Sequence, residues 1–263
     1  MGALHAGHLA LFERARAECA PVYASIFVNP KQFGPAEDFE NYPRSLEADL
    51  AKLKATGVEA VFAPEPAEMY PQGFSTHVSV DGISERLEGK SRPGHFRGVT
   101  TVVMKLLQIV QPDRAYFGRK DAQQARLVEQ MARDLSLDTT IVTCPIQREA
   151  DGLAMSSRNT YLDGAERRAA AVLYGALKAA RGELAAGERD ALELRMAMRR
   201  VLDREPLCRV DYAEIVNART FEPVVRVNGS CYALLAAYFG KTRLIDNLSI
   251  ESVPGSDELR LQL

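Results

Sequence analysis

Residues 45–64 read SLEADLAKLKATGVEAVFAP. Leu46, Leu50 and Leu53 recur at helical spacing, Gly57 supplies a C-terminal stop, and the β-rich run VEAVFAP follows directly. Upstream lies a second β-rich run, PVYASIFV (21–28), after a helical pattern from about Leu9 to Glu18. Helix, strand, helix, strand is the alternation of a parallel sheet. Downstream, HVSV (77–80) reads as a short strand and GVTTVVMKLLQIVQP (98–112) as a helix ending before Pro112. RAYFG (114–118) reads as a strand, DAQQARLVEQMARDL (121–135) as a helix and DTTIVTCPI (138–146) as a strand. The first half therefore predicts an open α/β sheet with helices on both faces.

The pattern changes near residue 150. GAERRAAAVLYGALKAARGEL (164–184) and ALELRMAMRRVLDRE (191–205) are helical, and 209–216, 231–239 and 242–250 read as strands. This predicts a smaller α+β domain over 151–263 behind a first domain over 1–150, joined in the loop READGLAMSSRNTYLDG (148–164). A net charge of −2 provides no basic field for nucleic acid. No apolar run reaches membrane-spanning length and no cleavable signal opens the chain, so a cytoplasmic location is expected. Cys19, Cys144, Cys208 and Cys231 are scattered, which argues against a zinc knuckle or redox motif.

Four polar clusters fall where open α/β sheets bind ligands, at strand ends and helix starts. In MGALHAGHLAL (1–11), His5 and His8 stand at a helix start, whose N–H groups favour an anion such as phosphate. Gly2 and Gly7 allow close backbone approach. On their own the two histidines read equally well as surface residues. FVNPKQFGPAEDFENYPR (27–44) places Asn29 and Gln32 just after a strand, where amides can orient a small polar ligand. Arg92, His95, Lys120 and Asp121 gather around two helix starts, and Asp121 is a natural N-cap. MSSRN (155–159) carries two hydroxyls and an arginine suited to polyphosphate. There is no P-loop and no dinucleotide-binding glycine motif.

Together with YPRSLEADL, RPGHFRGVTTVVMKLLQIVQPD, FGRKDAQQ, READGLAMSSRNTYL, DYAEIV and TRLIDN, these stretches resemble the pantoate–β-alanine ligase family in order from residue 1 to about 247. The H-x-G-H element alone is shared by a wider nucleotidyltransferase superfamily. The resemblance implies a Rossmann-like parallel sheet plus a smaller α+β C-terminal domain over the cleft, a homodimer, and ATP-dependent condensation of pantoate with β-alanine through a pantoyl adenylate. His5, His8, Lys120, Ser156, Ser157 and Arg158 match phosphate-contacting positions, His8 standing where the family has its so-called proton donor. Its expected role is mainly to stabilise transition-state charge. Met1, Gly2 and Arg119 fall in the ATP-binding stretches, Gly118 and Asp121 match ribose contacts, and Gln147 and Met155 flank adenine. Gln32 and Gln124, with Asn29, match the pantoate and β-alanine site, and Asp49 is the candidate ligand for Mg2+.

The departures are few. Ala6 stands where the family usually has Glu, and Arg119 and Ala122 replace residues of other types. Family members also usually carry a preceding helix and strand. The expectation is that a central parallel strand is missing here, exposing backbone edges and lowering stability and activity. The rival readings are another H-x-G-H nucleotidyltransferase, an inactive nucleotide-binding remnant, and a metal-dependent hydrolase built on His5, His8 and His95.

Overall fold

An acidic first turn and a left-handed glycine stop bound the helix of residues 46–56, which buries Leu53 and leaves Leu46 and Leu50 exposed. The computed structural model describes residues 2–35, 37–253, 256 and 258–263. The chain divides into two compact units, Met1–Pro145 and Ile146–Leu263. Residues 148–164 belong to the second.

The first unit runs α1 (Ala6–Glu18), β1 (Tyr23–Ser25), α2 (Leu46–Thr56), β2 (Ala60–Phe62), α3 (Pro66–Met69), α4 (Glu88–Ser91), α5 (His95–Val110), β3 (Arg114–Gly118), α6 (Ala122–Asp134) and β4 (Thr140–Cys144). Gly57 caps α2 at φ 71°, a left-handed conformation that glycine adopts without a Cβ penalty. The parallel strands form two separately hydrogen-bonded pairs. β1 lies beside β2 with Tyr23 opposite Ala60, and β3 lies beside β4 with Arg114 opposite Thr140. The end of α1 is tied to β3, since Glu18 accepts from Arg114 Nη1 at 3.1 Å and from the Tyr116 hydroxyl at 3.0 Å. Apolar packing is divided among small clusters. One holds Leu4, Ala24 and Leu53, another Phe27, Met69 and Val102, and a third Leu107, Val128 and Met131.

Residues 77–80 are not a strand. The Thr101 hydroxyl accepts from Val78 N at 3.0 Å and the Thr100 hydroxyl donates to Val78 O at 2.7 Å. Side chains of α5 thus satisfy the backbone groups that a neighbouring strand would have taken.

The second unit holds α7 (Gly164–Ala170), α8 (Val172–Ala185), α9 (Ala191–Leu202) and strands β5 (Cys208–Asn217), β6 (Cys231–Phe239), β7 (Thr242–Ser252) and β8 (Leu259–Gln262). The expected single helix over 164–184 is two helices meeting at Ala171, and a fourth strand joins the expected three. The sheet is antiparallel in the order β5–β6–β7–β8. Its core is continuous: Leu173, Leu177, Leu194, Met198, Ile215, Leu235, Phe239 and Leu248 are all buried together. Arg148 forms a two-pronged ion pair with buried Asp246, at 2.7 and 2.9 Å.

Candidate active site

His5 is the N-cap of α1. Its Nδ1 accepts from Gly7 N at 3.1 Å, while its own N–H donates to His8 Nδ1 at 3.3 Å. This is a capping box in which imidazoles replace the usual hydroxyl and carboxylate. An Nδ1 that accepts carries no proton, so each neutral ring keeps its hydrogen on Nε2. The rings stand 4.0 Å apart between centroids. Burial above all, then the neighbouring His5 ring and the charges of Lys120 and Lys52, push His8 down to about 3. His8 is therefore a neutral N–H donor at pH 7. Gly2, at φ 123°, sits beside this turn; Met1 lies outside the described residues.

Asn29 caps the single helical turn of residues 30–32 and Gln32 ends it, and both are buried. Backbone partners fix the orientation of the Asn29 amide. Its Oδ1 accepts from Lys31 N at 3.2 Å, and its Nδ2 donates to Gly98 O at 3.0 Å. Nδ2 also donates to Gln32 Oε1 at 3.1 Å, so the Gln32 amide nitrogen faces away from Asn29. The Tyr70 hydroxyl, whose pKa burial raises to about 12, donates to Asn29 Oδ1 at 2.7 Å. Nothing local in the sequence points to Tyr70, because it acts across 41 residues.

His95 is buried, and protein partners hold both of its ring nitrogens. Nδ1 donates to Gln32 O at 2.8 Å, which leaves Nε2 to accept from the Arg92 guanidinium at 3.0 Å. Burial first, and Arg92 second, lower its pKa to about 4. Arg92 in turn pairs with Glu37 at 2.6 Å. His95 thus supports the Gln32 turn and does not join the His5–His8 pair as a metal site.

Helix α5 crosses this turn with no room to spare. A Cβ on Gly98 would meet Lys31 O at 2.1 Å and Gln32 Cα at 2.7 Å. Gly98→Ala is expected to destabilise the chain by about 1–3 kcal/mol through overpacking. Gly175→Ala, whose Cβ would meet only Val201 Cγ1 at 3.5 Å, should be neutral or slightly stabilising. Urea melts of the two variants check this contrast.

β3 ends at Gly118 and leads through Arg119, Lys120 and Asp121 into α6, which carries Gln124 in its first turn. Asp121 occupies the N-cap position but makes no side-chain capping bond; Lys120 Nζ lies 4.0 Å from its carboxylate. In the second unit, Met155 N donates to Gln147 O at 2.9 Å, closing a small hairpin. Ser156 caps the turn of residues 157–161 by accepting from Arg158 N at 3.3 Å, so Ser156, Ser157 and Arg158 form one local unit.

Asp49 is 1% exposed. Its Oδ2 accepts from Ala3 N at 2.8 Å and its Oδ1 from Leu4 N at 2.7 Å.

The family model described as Pantoate-beta-alanine ligase matches residues 1–249. This chain belongs to the pantoate–β-alanine ligase family. It is a ligase that joins pantoate to β-alanine using ATP, in pantothenate biosynthesis. The pantothenate synthetase of Acidobacterium capsulatum is 56% identical over 259 residues, spanning 98% of this chain and 87% of the relative. That of Roseiflexus sp. is 55% identical over 252 residues, spanning 96% and 91%. The crystal structure of pantothenate synthetase from Thermus thermophilus superposes with a TM-score of 0.92 at 49% identity, covering 94% of this chain and 90% of that one. A Francisella tularensis pantoate–β-alanine ligase, solved with β-γ ATP and β-alanine, has a TM-score of 0.76 at 37% identity and covers 94% and 86%. These likenesses agree with the α/β fold and its separate antiparallel C-terminal sheet.

Proposed function

We propose that the ligase works through a pantoyl adenylate, with His5 and His8 as neutral hydrogen-bond donors to the reacting phosphate. A pantoate carboxylate oxygen attacks the α-phosphorus of ATP, the bond to pyrophosphate breaks, and the adenylate forms. The β-alanine amine then attacks the acyl carbon, AMP leaves with the bonding electron pair, and the new amide nitrogen releases a proton. Negative charge grows on the phosphoryl oxygens and on the leaving pyrophosphate. The Nε2–H groups of His5 and His8 and the cations of Lys120 and Arg158 suit that charge. The observation that carries this reading is the capping box, which puts both imidazole hydrogens on Nε2.

The other assignments extend the same reading residue by residue. Met1, Gly2, Gly118, Arg119, Asp121, Gln147, Met155, Ser156 and Ser157 contact ATP; Gln32, Gln124 and Asn29 hold pantoate and β-alanine. Residues 1–150 bind nucleotide and pantoate, and residues 151–263 form the smaller C-terminal domain. The chain acts as a homodimer in the cytoplasm, in keeping with its four free cysteines. Among the described residues no helix is long and apolar enough to cross a membrane.

Mg2+ accompanies ATP as part of the substrate. The residues present do not fit a resident metal: Asp49 is buried at 1% exposed with both oxygens turned to backbone N–H groups, and no group of three His, Cys, Asp or Glu gathers among the described residues.

Incubation with pantoate, β-alanine and ATP is expected to release AMP and pyrophosphate. Without β-alanine, pyrophosphate should exchange into ATP only when pantoate is present. Formation of ADP, or exchange that ignores pantoate, would overturn the adenylate route.

A further inference from the structure

We propose that Asp49 and Lys52, one helical turn apart on α2, are positioning residues that hold the Gly2–His8 turn so that both imidazoles present Nε2–H. This rests on the adenylate reading above.

The two carboxylate oxygens of Asp49 take the consecutive N–H groups of Ala3 and Leu4. Lys52 Nζ donates to Leu4 O at 2.6 Å. One face of α2 therefore grips Leu4 by both its N–H and its C=O, a spacing that residues three apart on a helix naturally provide. Leu4 C=O and His5 N–H belong to the same peptide plane. The ammonium of Lys52 pulls on the oxygen side of that plane, while His8 Nδ1 accepts from the nitrogen side at 3.3 Å. A cation on the carbonyl polarises the amide and strengthens its N–H as a donor, so the clamp favours an unprotonated Nδ1 on His8.

The turn needs such a hold. Ala3 sits at φ 52°, in the left-handed region that disfavours residues with a Cβ, and Gly2 is at φ 123°. Strained backbone of this kind persists where surrounding contacts over-determine it. Asp49 supplies the contacts from a helix whose Leu53 packs in the same small core as Leu4. Buried, and with both oxygens turned to the backbone of Ala3 and Leu4, Asp49 acts through the turn.

The test measures pantoate-dependent ATP–pyrophosphate exchange in the parent chain, Asp49→Asn and Lys52→Met, together with 15N spectra of the histidine side chains. In Asp49→Asn the new amide could accept from one backbone N–H but would turn its own NH2 towards the other. For this variant we expect at least a tenfold fall in kcat, a KM for pantoate within twofold of the parent, and loss of the pure Nε2–H pattern of His8. Lys52→Met should lower kcat three- to tenfold with the same KM. A kcat within twofold of the parent in either folded variant overturns the clamp, as does a change carried by KM alone or an unchanged His8 pattern in Asp49→Asn. Should Asp49→Asn fail to fold, the kcat and KM of Lys52→Met decide by the same criteria. A parent chain without pantoate-dependent exchange defeats the adenylate reading instead, and the imidazole spectra still judge the clamp.

Discussion

Replacing His8 by alanine is expected to lower kcat for adenylate formation about 10²- to 10³-fold, the usual effect of removing one preorganised donor to developing oxyanion charge. His8→Gln should recover about tenfold of that loss. Glutamine is a natural capping-box residue at the third helical position, so its Oε1 can take over the His5 N–H bond while its NH2 still offers a donor. Glutamine does not titrate. Its partial rescue would therefore separate neutral donation from acid catalysis. The pKa of about 3 makes the same distinction, because at pH 7 only about one His8 in 10⁴ carries the second proton. If His8 acted as an imidazolium acid, kcat would fall as pH rose, and His8→Gln would be as slow as His8→Ala. The measurement is pantoate-dependent pyrophosphate exchange for the three proteins between pH 6 and 8.

Acid sensitivity is the second large expected effect. His8 and His95 both have folded pKa values below the ordinary 6.5, at about 3 and about 4, chiefly because burial disfavours the charged ring. Below pH 6.5 the unfolded chain binds these protons and the folded chain does not. The stability from the neutral rings is therefore present above about pH 6.5 and drains away as pH falls towards the folded values. Two such groups together remove about 4 kcal/mol between pH 7.5 and pH 5. In His95 the geometry reinforces the effect. Protonating Nε2 would set an N–H against the Arg92 guanidinium that now donates to it. Urea melts at the two pH values check the prediction, and His95→Gln should remove close to half of the pH dependence. Equal stability at pH 7.5 and 5 would contradict the assignment of both rings as buried and neutral.

The local geometry of the candidate site was legible because it depends on neighbours along the chain. His5 and His8 are three residues apart at a helix start, and that spacing alone lets an N-cap side chain and a third-position side chain serve each other's backbone. Ser156 and Arg158 are joined by a cap within one turn. Strand and helix runs such as 114–118 and 122–134 follow from period and breakers. Leu46, Leu50, Leu53 and Gly57 similarly define α2.

Long-range pairing behaves differently. Asp49 in an acidic first turn looks the same in sequence whether it meets a metal, a helix dipole or a distant backbone; only folding brings Ala3 and Leu4, 46 and 45 residues away, onto its two oxygens. His95 reads as a possible ligand until Gln32 O, 63 residues earlier, takes its Nδ1–H. HVSV has strand composition, yet the threonine hydroxyls of α5 take its backbone groups before a ladder can. The β-rich runs announce strands, but hydrogen-bond partnership depends on which backbones come within about 5 Å, so composition could not tell that the parallel strands would form two separate pairs. Period, capping and turn chemistry are properties of neighbours along the chain and are written in it; the partners of buried carboxylates, imidazoles and strand edges are neighbours in space and exist only once the chain has packed.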